Sequence, residues 1–183
     1  MFQRFQGLLP IIGLIAIVAV VAVFYRIVHT VRMNKELGNR TGNKWIILTV
    51  LCAVAALISW IFNFGWLRVF LSLFGFPLFY GAFFCFANSM AAARLAEMDA
   101  MKKYIPWSCI TYLLAYLCFP DGGDTGEMYV LFSLIRSDTV STVALCLSLA
   151  AFVANIILLI LEIIMASKWK KPIPPQTEEA AKE

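Results

Sequence analysis

Four polar side chains, Ser141, Ser148, Asn155 and Glu162, recur at intervals of seven residues in a stretch otherwise dominated by Leu, Ile, Val and Ala. Seven residues make two helical turns, so in a helix all four stand on one stripe. Ala144, Ala151 and Ala166 lie close to the same face. A polar, small-residue stripe on an apolar helix turns toward other helices and away from lipid. Glu162 is the acidic group well inside this run, and a charge at such a place costs from about 3 to more than roughly 10 kcal/mol. It must be paired, protonated or hydrated. One reading makes Glu162, Asn155 and Ser148 the lining of a cation or proton path. The other pairs Glu162 with Arg94 or Lys168 and leaves the Ser and Asn groups to hold helices together. Asn88 shares a stripe with Gly81, Cys85 and Ala92, falls in the same half of the chain's thickness, and is a partner for Glu162.

A second cluster, Asp121, Asp124 and Glu127, sits among three glycines in the run from Asp121 to Glu127. Several carboxylates on a flexible loop suit a divalent cation. The spacing is not that of an EF-hand loop, and a solvated turn explains the same residues. The five cysteines, Cys52, Cys85, Cys109, Cys118 and Cys146, show no C-x-x-C or Cys/His metal spacing. They read as small packing residues, with a Cys118–Cys146 disulfide as the alternative. The single histidine, His29, has no acidic neighbour at helical spacing. Motifs for nucleophilic serine, zinc-protease or phosphate-loop chemistry are missing. The expectation is a protein that is not an enzyme and holds neither a cofactor nor a metal.

The elements that position these residues follow from composition. Of 183 residues, 62% are hydrophobic and 14% charged, against roughly 45–50% and 25% in soluble domains; mean hydropathy is +0.83. A soluble chain of this length has too little interior for that excess, so the solvent that suits it is lipid. The fold class expected is all-α, a polytopic helical membrane bundle within residues 1–167. Its transmembrane helices fall at about 8–27, 45–62, 69–92, 104–119 and 139–167. A kink is expected near Gly75 and Pro77, and a helical extension past Ala92 toward Met98, with Asp99 and Lys103 as an i,i+4 pair. The fourth segment is short for a bilayer core of about 30 Å. A short helix is placed on the outer face at about 127–136, with Asp138 capping the last helix. Residues 168–183 form a disordered cytoplasmic tail.

Orientation follows from charge. With the first loop in the cytoplasm, the inner side holds Arg26, Arg32, Lys35, Arg40, Lys44, Arg94, Lys102, Lys103, Lys168, Lys170, Lys171 and Lys182, which is twelve of fifteen basic residues. Arg4, Arg68 and Arg136 remain outside. By the positive-inside rule the N-terminus lies outside and the C-terminus inside. Asn39-Arg40-Thr41 fits a glycosylation acceptor, and a glycan there would reverse this orientation. The basic residues border apolar segments, which suits lipid headgroups and not a nucleic-acid partner. Short loops leave no room for a soluble domain. The expected role is therefore a small accessory or structural subunit in a plasma membrane, by default the bacterial cytoplasmic membrane. Its partners would be the lipid bilayer and a second copy or another membrane protein. The alternative is a small transporter or channel along Ser148, Asn155 and Glu162.

Overall fold

The computed structural model describes residues 2–63, 65–95, 98, 101–120, 128–130 and 134–168. The chain forms an all-α bundle. Its helices are α1 (Phe2–Glu36), α2 (Arg40–Phe62), α3 (Trp66–Leu73), α4 (Phe76–Ala93), α5 (Met101–Leu117) and α6 (Asp138–Lys168), with two short strands, β1 (Tyr129–Val130) and β2 (Ile135–Arg136), before α6. Among the described residues, four helices are long and apolar enough to cross a membrane: α1 from Pro10 onward, α2, α4 and α6. This suits a protein embedded in a lipid bilayer. Large apolar side chains face outward on these helices, among them Leu14, Val18 and Phe24 of α1 and Val143, Val153 and Ile157 of α6. The α5 helix, at 17 residues, is about 25 Å long and is packed against α2, α4 and α6.

Several boundaries differ from those expected. The first helix does not stop at residue 27 but runs to Glu36, and the connection to α2 is three residues with Gly38 at φ +68°. Hydropathy marks where lipid ends, whereas the charged stretch beyond it still favours helix; Arg32 donates to Glu36 at 3.2 Å one turn on. The third segment is two helices. Gly75 adopts a left-handed conformation at φ +68° and Pro77 follows it in the first turn of α4, so the expected kink is a full break. No helical extension reaches Met98: α4 ends at Ala93 with Arg94 as its cap. Asp99, and with it the proposed pair with Lys103, lies outside the described residues. The outer-face helix at 127–136 is not formed. Instead Tyr129 pairs with Arg136 and Val130 with Ile135 in an antiparallel ladder, which fits the β-favouring Tyr, Val and Ile. Asp138 is the first residue of α6 and not its cap. The acidic loop Asp121, Asp124 and Glu127 and the tail from residue 169 lie outside the described residues.

The turn between α1 and α2 is tightly built. The Asn39 side chain accepts from the Gly42 N–H at 2.9 Å and donates to Asn34 Oδ1 at 3.1 Å and to the Ala92 carbonyl of α4 at 3.2 Å. A Cβ added at Gly42 would stand 2.6 Å from that same carbonyl, so glycine is what lets α2 approach α4. In the folded turn the Asn39 amide of the glycosylation sequence is fully engaged.

Candidate functional site

The α6 stripe is buried along its whole length: Ser141, Asn155 and Glu162 are 0% exposed and Ser148 1%. Leu159 and Ala166 are enclosed with them. The stripe meets α5 and α4, and two of its residues, Ser148 and Asn155, have hydrogen-bond partners there. Ser148 donates to the Ala115 carbonyl at 2.7 Å. Asn155 donates to the Ser108 carbonyl at 2.7 Å and to Thr111 Oγ1 at 3.0 Å, and its Oδ1 accepts from the Tyr80 hydroxyl at 2.7 Å. Asn155 thereby ties α6 to both α5 and α4. One turn away the seam continues without it. Ser108 Oγ lies 2.9 Å from both Asn88 Oδ1 and the Ile105 carbonyl, and Asn88 Nδ2 donates to the Phe84 carbonyl at 3.0 Å.

Glu162 ends the seam. Neither carboxyl oxygen has a hydrogen-bond partner, although Ser108 and Cys109 are its electrostatic neighbours on α5. The one Ser108 proton is already directed to Asn88 or Ile105. The expected pairing with Arg94 or Lys168 does not form, and Lys168 points outward. Asn88 likewise partners Ser108, not Glu162. The reason is rotational. Glu162 shares the inward face of Asn155 and Leu159, and that face turns away from the margin where Lys168 stands.

Beside the seam lies an aromatic stack. Phe84 and Tyr112 face each other at 3.8 Å between ring centroids and 6° between planes, and Tyr80 and Tyr116 stack at 5.7 Å and 9°. Tyr80, in the aromatic-rich run of α4, supplies a hydroxyl to the seam. Ser108, Thr111 and Ala115 form a polar, small stripe at i, i+3 and i+7 on α5, and this spacing was the signal that identifies the α6 partner.

The charge pattern puts Arg68 on the outer side of the membrane, where a basic residue reads as exposed. It is 0% exposed and gives Nη1 to the Ser59 carbonyl at 2.9 Å and Nη2 to the carbonyls of Tyr116 and Phe119 at 3.2 and 2.6 Å. Its guanidinium stands over the rings of Trp60 and Phe119 at 5.1 and 5.6 Å. One cation thus gathers the ends of α2 and α5 around α3. All five cysteines are free thiols, including Cys118 and Cys146. Among the described residues no group of three or more His, Cys, Asp or Glu is placed to hold a metal ion. The chain matches no known family model, no curated protein and no solved structure.

Proposed function

We propose that this chain is a multi-pass membrane protein with five crossings, its N-terminus outside and C-terminus inside, that serves as a small accessory or structural subunit of a membrane assembly. The observation that carries this reading is the closure of the interior. Tyr80, Asn155, Ser108, Asn88 and Ser148 spend their hydrogen-bonding groups on one another and on helix carbonyls, which is how helices are held where no water is available. The seam is thus a fastening and not a channel lining. α5 counts as the fifth crossing because its buried face joins α2, α4 and α6, its length being made up by local thinning of the bilayer. The membrane is a plasma membrane, with the bacterial cytoplasmic membrane the default. Work without catalysis of its own leaves association as the function, with a second copy or another membrane protein as the partner. The peripheral α1, with little of its surface covered by the bundle, offers a face for that association. Isolation from native membranes in mild detergent should recover a stoichiometric complex. Recovery as a lone monomer in nanodiscs would contradict the proposal.

One observation favours a second reading, a transporter or channel in which Glu162 exchanges a proton or a cation. A fully enclosed carboxyl group without a hydrogen-bond partner is a costly structural feature, and such groups mark ion and proton routes. Here Glu162→Gln should abolish proton- or cation-coupled flux in proteoliposomes. Unchanged flux removes this reading and leaves the first intact.

A further inference from the structure

Arg26 stands at the end of the first apolar run, residues 8–27, and ten residues before the end of α1 at Glu36. Its guanidinium lies over the Phe86 ring of α4, 4.8 Å from the ring centroid. Its Nε atom is enclosed and has no hydrogen-bond partner. The ion pair among the described residues is Arg32–Glu36, so none of their carboxylates answers the Arg26 charge. The charged group that acts on Arg26 is a second cation, Arg94, which caps the end of α4. α1 and α4 thus hold two guanidinium groups near each other.

An arginine at the margin of the hydrocarbon is costly unless its charge is answered. The Phe86 ring covers one face of the guanidinium and leaves its donor edge, a planar fork that matches the oxygens of a phosphate. The neighbouring Phe24 and Tyr25 are strongly exposed, as aromatic side chains are where hydrocarbon meets headgroups. An apolar track leads away from the charge. Phe83 and Phe79 stand at i−3 and i−7 from Phe86 on one face of α4, and all three are half-buried. α1 stays beside this track to its far end, where a Cβ at Gly75 would lie 2.9 Å from Phe79 and 3.6 Å from Ile12 of α1.

We propose that the α1–α4 edge at Arg26 binds an anionic phospholipid, with the phosphodiester accepting from the Arg26 guanidinium and one acyl chain lying along Phe86, Phe83 and Phe79. Charge selects the headgroup. A phosphodiester without an amine complements Arg26 and gains from the nearby Arg94, whereas a zwitterionic lipid would bring its own ammonium group toward a cation. The track selects a lipid over a free phosphate, because an aromatic stripe continuous with the charged end gives hydrocarbon a place to lie. A basic recess between membrane helices at headgroup level is a form in which anionic lipids are held. This inference rests on membrane embedding and on neither functional reading above.

The test is native mass spectrometry of the full-length protein, delipidated in detergent and titrated with dioleoylphosphatidylglycerol or dioleoylphosphatidylcholine. The phosphatidylglycerol should bind about tenfold more tightly, the worth of one charge-assisted hydrogen bond. Arg26→Gln should erase that preference. Arg32→Gln removes the same charge from an exposed side chain of the same helix and should leave the preference intact. Equal affinity for the two lipids in the unaltered protein overturns the proposal, as does a preference that survives Arg26→Gln or one that Arg32→Gln abolishes equally. Displacement of the phosphatidylglycerol by excess inorganic phosphate, beyond that caused by chloride at equal ionic strength, overturns the lipid in favour of a free phosphate.

Discussion

The Tyr80 hydroxyl of α4 donates to Asn155 Oδ1 of α6 across 2.7 Å, with both side chains buried in the bundle. Because Asn155 also grips the Ser108 carbonyl and Thr111 on α5, this contact is the point where three helices are fastened. Tyr80→Phe and Asn155→Leu should each destabilise the bundle, with a coupling between them of about 0.6–2 kcal/mol, the range of interhelical hydrogen bonds in membranes. A double-mutant cycle on unfolding in mixed micelles measures it; strictly additive losses would show that the two groups do not act together.

Arg68 predicts a larger effect. Its three carbonyl contacts and two aromatic faces make truncation expensive, because a hydrogen bond to a charged group contributes about 1.5–3 kcal/mol. Arg68→Ala should lower stability by on the order of 3 kcal/mol and loosen the ends of α2 and α5. Arg68→Lys should recover only part of this, since a lysine lacks the planar fork. Thermal unfolding in detergent, followed by the fluorescence of Trp60, distinguishes the three proteins.

Gly42→Ala should destabilise by about 1–3 kcal/mol, because the new methyl group meets the Ala92 carbonyl and the Asn39 and Asn34 amides within 2.7 Å. Gly13→Ala, inside α1 with open space at its Cβ, serves as the control and should stabilise by up to about 1 kcal/mol through helix propensity alone. The comparison of their unfolding midpoints isolates close helix approach from helix propensity.

These effects divide into those the sequence announces and those it hides. The seven-residue recurrence of Ser141, Ser148, Asn155 and Glu162 is a single-helix pattern, and its inward direction could be read from the apolar residues around it. The partners of those groups come from other helices. Tyr80 sat in a run where aromatic residues cover more than one face, and no periodicity separates a hydroxyl that reaches a partner from a ring that meets lipid. Helix lengths misled at α1 and α4 because apolarity and helicity end at different places: Arg26–Glu36 stays helical though charged, while the left-handed Gly75 stops a helix inside apolar sequence. The segment around Val130 and Ile135 is too short for pattern to decide between helix and strand. Arg68 shows the opposite failure, since a charge near a segment end reads as exposed and only the geometry of three carbonyls reveals that it is enclosed.

The proposed threading is tested most directly by labelling with a membrane-impermeant maleimide in intact cells. Leu37→Cys and Leu134→Cys place reporters at residues 70% and 80% exposed, at opposite ends of the bundle, in a background carrying Cys118→Ser and Cys146→Ser. With the N-terminus outside, position 134 should react at once and position 37 only after the membrane is permeabilised. Immediate labelling at position 37 with protection at position 134 would contradict the orientation, and labelling of both from outside would contradict the crossing between them.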